Sequence, residues 1–244
     1  MDACEPIPTP QKDPWVARLQ AILEVLLITG VVSSYLALIP FALLGIDHKL
    51  LLGEVKYIAP FALLESGITL MFLILMQNIH RQRLTDLAGP AKHWKKNLLI
   101  GLALVPLLFL INVFVSVTLR YLAPKYFSDH NPLLDTIRSP QDLALFIVAA
   151  LLAGGIKEEF QRAFILTRFR EHLGGAPLGL VLWSVLFGAA HYAQGPQGMI
   201  TAGLLGLVFG LAYLAQKSLV SPIVAHGVYD TLVLLGFWFF RNVK

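Results

Sequence analysis

Seven apolar stretches, over residues 19–45, 57–78, 97–119, 142–168, 177–193, 198–215 and 219–240, leave this chain few ways to fold. Most approach the roughly 20 residues that a helix needs to cross about 30 Å of hydrocarbon; the fifth and sixth are the shortest. In lipid each backbone N–H and C=O must be satisfied within the spanning structure, which favours helices for such stretches. With 57% hydrophobic residues, 14% charged residues and a mean hydropathy of +0.70, the chain has too little polar surface for a soluble domain. The expected fold class is all-α, a polytopic membrane helical bundle of about seven transmembrane helices.

The opening "MDACEPIPTPQKDP" carries acid and proline where a cleavable targeting peptide carries a basic start and an apolar centre. Residues 1–14 are expected to form a short disordered arm. The single cysteine, Cys4, lies in it and excludes both an internal disulfide and a cysteine-based zinc site. Residues 15–141 then supply three transmembrane helices and their loops, and residues 142–244 a helical core that holds the polar motifs. No internal repeat is evident.

Position matters more than the total charge of +4. Between the second and third stretches, Arg81, Arg83, Lys92, Lys95 and Lys96 stand against Asp86 alone, which assigns that loop and the amino terminus to the cytoplasm. Arg241 and Lys244 at the other end mildly violate the rule. A basic strip beside a membrane suits anionic headgroups, and the aromatic interleaving of a nucleic-acid surface is absent.

Ionisable groups within spans are costly, so each points to structure or function. Glu24 reads as interfacial; Glu65 and Asn112 read as cavity-lining or as interhelical hydrogen-bonding groups, none of the three with a polar companion at helical spacing. Three clusters in the second half differ. In "GGIKEEFQRAF", Arg162 follows Glu158 by four residues and Glu159 by three, so on a helix it can pair with either. Gly154 and Gly155 permit close approach of another helix. In "FGAAH", Phe187 and His191 share a face; in "HGVYD", His226 and Asp230 do. The turn "HLGGAP" is about equidistant along the chain from Glu158 and His191, so an antiparallel hairpin brings them to equal depth. His226 lies only about eight residues past its own turn and reaches that depth only if the first hairpin projects beyond the inner membrane face.

Glutamate and histidine facing one water are the parts for general-base hydrolysis. No serine or cysteine adjoins a base, so water is the expected nucleophile. Glu158, His191, His226 and Asp230 are also possible ligands of a divalent metal such as zinc, and both readings stay open.

"EEFQR", "FGAAH" and "HGVYD", in that order on consecutive membrane segments, resemble the CAAX-protease and bacteriocin-processing family of intramembrane proteases. The resemblance covers about residues 142–240. It implies an endopeptidase acting on a membrane-associated peptide or protein, with Glu158, or secondly Glu159, as general base and His191 holding the water. It further implies that His226 and Asp230 stabilise the oxyanion or bind a metal, and that Arg162 supports the glutamates, with Phe187 part of its second motif. The family spacing is E-E-x-x-x-R, and here the arginine comes one residue early; aligning on it would put Lys157 in the first glutamate's place. The last position is often asparagine, whereas ionised Asp230 can only accept hydrogen bonds. Substrate and water are expected from the cytosolic side, and a bacterial inner membrane is the expected location. The alternatives are a non-catalytic scaffold or bacteriocin-immunity protein of the same fold, and a proton-coupled transporter, against which no inverted halves are visible.

Overall fold

The computed structural model describes residues 13–241, which are helical throughout their regular structure. Cys4 and Lys244 lie outside the described residues, as does the expected arm up to residue 12. Pro14 already opens α1 (Pro14–Ile28), with Asp13 as its cap: the Asp13 carboxylate accepts from the Trp15 N–H, and proline at the first position needs no hydrogen bond.

α2 (Val31–Leu43) follows after two residues, so the first apolar stretch is a broken helix. The break falls at Gly30, with φ of +94°, and not at Pro40, which lies within α2. Ile28 O, freed by the break, accepts from Gln161 Nε2, so a residue of the "EEFQR" motif helps hold the gap. The short α3 (His48–Gly53) leads into α4 (Val55–Ile79), α5 (Leu84–Ala88) lies in the basic loop, and α6 (Trp94–Leu122) completes the amino-terminal half.

The second half is built on one continuous helix. α7 (Pro140–Ala149) starts at a reciprocal cap in which Ser139 Oγ accepts from the Asp142 N–H and Asp142 accepts from the Ser139 N–H. It passes without interruption into a π segment, Ala150–Glu158, and then into α8 (Glu159–His172). α9 (Ala176–Ala190), α10 (Gly195–Gln216) and α11 (Val220–Phe240) follow. Among the described residues, five segments are long and apolar enough to cross a membrane: α1 with α2, α4, α6, the Tyr192–Gln216 segment containing α10, and α11. α9 is apolar but shorter, and the α7–π–α8 helix carries the charges. The molecule is therefore an integral membrane helical bundle, as its composition requires.

α11 packs on the π segment and on α6, α9 packs between α8 and α10, and α4 packs against α7 and the π segment. Small residues allow these approaches. A Cβ on Gly188 would lie 2.6 Å from Met199 O in α10, and one on Gly101 would lie 2.7 Å from Ser221 O in α11. Two ends are defined by loop contacts. At one end Ala88 O accepts from Leu219 N and Gly89 abuts Lys217, joining the basic loop to the α10–α11 turn. At the other, Ser128 N donates to Gln197 Oε1 and the His48 and Tyr192 rings stack.

Candidate active site

The three motifs meet around the π segment. Lys157 and Glu158 end that segment and Glu159 begins α8, so the two glutamates diverge although they are adjacent in sequence. Glu159 is fully buried, with Oε1 shared between Arg162 Nη1 and His226 Nδ1, the latter at 2.8 Å. Of the two pairings that the spacing permits, Arg162 makes the one with Glu159. Its guanidinium lies 4.8 Å from the Phe187 ring centroid and 5.3 Å from that of Phe209, a desolvated cation against two aromatic faces. The His226 ring stacks on Phe209 with centroids 4.5 Å apart.

Glu158 turns the other way. Its side chain is 18% exposed and lines a cavity of about 1110 Å³, together with His191, His226, Asp230, Lys157 and Phe187. Arg162 and Glu159 are absent from that lining; they sit behind it. His226 Nε2 is 3.5 Å from Asp230 Oδ2 and 3.9 Å from Glu158 Oε2. His191, the carboxyl-terminal cap of α9, places Nδ1 2.7 Å from Phe187 O. A carbonyl can only accept, so Nδ1 carries the hydrogen, and in the neutral ring Nε2 is an acceptor. His191 makes no direct bond to either glutamate among the described contacts; it faces Glu158 and Asp230 within electrostatic range across the shared cavity.

Gly154 makes the meeting possible: a Cβ there would lie 2.9 Å from Asp230 Oδ2 and 3.3 Å from His226 Nε2. Gly155 similarly faces Gly227 of α11. His226 reaches Glu159 despite its short run from the 217–219 turn. Thr167, Arg170 and Glu171 share a surface hollow with Lys217, so the last turn of α8 lies beside that turn.

Two features escape a reading by local spacing. Lys157, buried, pairs with Glu65 of α4 at 3.0 Å and lies 3.8 Å from Glu158. Glu65 also accepts from Ser33 and Thr69, each at 2.9 Å, so it both lines the cavity and bonds between helices. Glu24 accepts from Gln20 at 2.6 Å and pairs with Arg168 at 2.8 Å. Thr69 and Gln20 are polar companions four residues away, contrary to the expectation that Glu65 and Glu24 have none. Asn112 donates to Tyr229 Oη at 2.6 Å.

The residues do not fit a metal. Among the described residues no group of three or more histidine, cysteine, aspartate or glutamate side chains is arranged to hold one. His226 Nδ1 is directed to Glu159, and the cationic Lys157 already stands beside Glu158.

The lining shows towards which end of the bundle the cavity runs. Besides the polar cluster, the cavity is lined by His48, by Ser128–Asn131 and by Tyr192–Gln194, all at the end opposite the basic loops. Among the described lining residues none comes from 80–96, 170–175 or 213–219. The cavity therefore extends to the end of the bundle away from Arg81–Lys96. The reason is visible in the lengths: α9 stops at the depth of His191, while α7 and α11 run on beyond the site.

Fold and site together define an integral membrane protein with a polar, carboxylate- and imidazole-lined cavity inside a helical bundle. Residues 139–232 match the model of the family described as type II CAAX prenyl endopeptidase Rce1-like, the kind of family that the three motifs resemble. The match starts at the capping serine of α7 and ends two residues after Asp230. No curated protein and no solved structure gives a significant match to the chain.

Proposed function

We propose that the protein is an intramembrane endopeptidase that hydrolyses a peptide bond of a membrane-associated peptide or protein with Glu158 as the general base. One observation carries the assignment: of the two adjacent carboxylates, only Glu158 opens onto the cavity, whereas Glu159 is buried and engaged by Arg162 and His226. The family match and the bilayer-length helices support the wider reading.

In this reaction the nucleophile is a water held by the Glu158 carboxylate and His191 Nε2. Glu158 takes a proton as the water oxygen attacks the carbonyl carbon; the tetrahedral oxyanion then collapses, the C–N bond breaks, and Glu158 returns the proton to the leaving amine. His226 donates Nδ1–H to Glu159 and, as imidazolium, directs Nε2–H to the oxyanion, with Asp230 orienting the ring from 3.5 Å. Glu159 and Arg162 position His226 and touch no reacting atom. The cluster of basic residues at 81–96 supports a cytoplasmic location for that loop and the amino terminus, in a membrane such as a bacterial inner membrane.

The test is cleavage of a membrane-associated peptide library by the purified protein in detergent. Wild type should cut, Glu158→Gln and His191→Ala should lose most activity, and a chelator should leave the rate unchanged. Folded wild type that cuts nothing across a broad library would favour the non-catalytic scaffold, and chelator-sensitive cleavage would refute the metal-free step.

A further inference from the structure

The three motifs assign no part to Lys157, yet it stands next to the base. Its side chain is buried, lines the cavity and bridges two carboxylates: Nζ lies 3.0 Å from Glu65 Oε2 and 3.8 Å from Glu158 Oε1. Glu65, on α4, is held at its other oxygen, where Ser33 Oγ and Thr69 Oγ1 each donate to Oε1 at 2.9 Å. Ser33 follows the helix break at Gly30, where a Cβ would lie 3.3 Å from Glu65 Oε1. The amino-terminal half thus fixes the ammonium from one side, and the ammonium faces Glu158 on the other.

The other charges around Glu158 are engaged elsewhere. His226 Nε2 comes within 3.9 Å, but the same ring serves Glu159 through Nδ1 and stands 3.5 Å from Asp230. Arg162 pairs with Glu159 behind the cavity wall. His191 gives its Nδ1–H to Phe187 O, and Asp230 adds a second carboxylate to the same cavity. A neighbouring opposite charge favours the ionised form of a carboxylate and fixes its direction, and Lys157 is placed to supply one here. Stability is a poor reason for the lysine, because apolar residues of similar volume often do as well as a buried ion pair.

We propose that Lys157, held by Glu65, is a positioning residue for peptide hydrolysis: its ammonium keeps the Glu158 carboxylate turned to the attacking water. Lys157 touches no reacting atom itself. The inference rests on the endopeptidase reading, and it adds to the catalytic apparatus a pair whose second member lies outside residues 139–232. The effect falls on turnover rather than on binding, because Glu158 acts on the water.

The test separates charge from fold, using one peptide that wild type cuts in detergent. Lys157→Met with Glu65→Leu removes the pair without stranding either charge, and should recover much of the stability that either single change loses. Its kcat should nevertheless fall about 10–100-fold, the effect of a misplaced group, with KM within about twofold of wild type. In a Cys4→Ser background, which removes the only cysteine, Lys157→Cys is then modified with aminoethyl methanethiosulfonate or with the uncharged ethyl reagent, and each adduct is verified by mass. The aminoethyl adduct returns an ammonium to this place and should exceed the ethyl adduct in kcat by about tenfold or more, at similar KM. Equal kcat of the two adducts, or a folded double variant that turns over within about twofold of wild type, overturns the positioning role. A loss confined to KM also overturns it, since it would put Lys157 on the substrate. Wild type that cuts no peptide is a different failure, which removes the endopeptidase reading and this inference with it.

Discussion

Glu158 and Glu159 are neighbours in the chain with opposite surroundings. Glu159, with no exposed surface, compensates the equally buried Arg162 and orients His226. Removing its charge strands a buried guanidinium, a loss of about 3–5 kcal/mol for a broken buried pair. Glu159→Gln is therefore expected to unfold at a clearly lower temperature in detergent, whereas Glu158→Gln should melt close to wild type. The difference between their melting curves checks the division of roles. The three polar clusters were legible because their members stand three or four residues apart on one helix face. Lys157–Glu65 was not: its partners are far apart in sequence, and lysine next to two glutamates looks locally like part of a charged helix end. The companions Gln20 and Thr69 were legible in principle, since each sits four residues from its glutamate.

The elements owe their arrangement to small residues at crossings and to one departure from α-helical geometry. The π segment ends at Glu158, so the side chains around it are not displayed as an uninterrupted α-helix would display them. Nothing in "ALLAGGIKE" announces that change; its residues suit an α-helix as well. The break at Gly30 was equally hidden, because prolines mark kinks more visibly than a glycine does. Of the seven apolar stretches, by contrast, five were readable from length alone as bilayer-length helices. Gly188, inside "FGAAH", has backbone atoms of α10 against it, so Gly188→Ala must push α9 off α10. A destabilisation of about 1–3 kcal/mol is expected, the usual cost of overpacking, together with a displaced His191 and slower cleavage. Thermal unfolding read beside activity measures both effects.

At the scale of the molecule, two buried ion pairs among the described residues join the family-matched segment to the amino-terminal half: Lys157 to Glu65 and Arg168 to Glu24. The first also forms part of the cavity wall, so the site extends beyond residues 139–232. Lys157→Met or Glu65→Gln alone should cost about 3–5 kcal/mol by leaving a buried charge unpaired. The double variant Lys157→Met with Glu65→Leu should recover much of that loss, a non-additivity that a double-mutant cycle on unfolding reads directly. The direction in which the cavity runs belongs to this scale too. It could not be read from the motifs, because it follows from where α9 ends relative to α7 and α11 and from how the 123–139 loop lies at the mouth.

The central claim, that Glu158 is the base, is tested most directly by the first-order cleavage rate of one peptide by Glu158→Gln relative to wild type, with both proteins shown to be equally folded. The predicted result is a fall of about 10²–10⁴-fold, the usual contribution of a positioned base. A folded Glu158→Gln that cleaves within a few-fold of wild type would contradict the account.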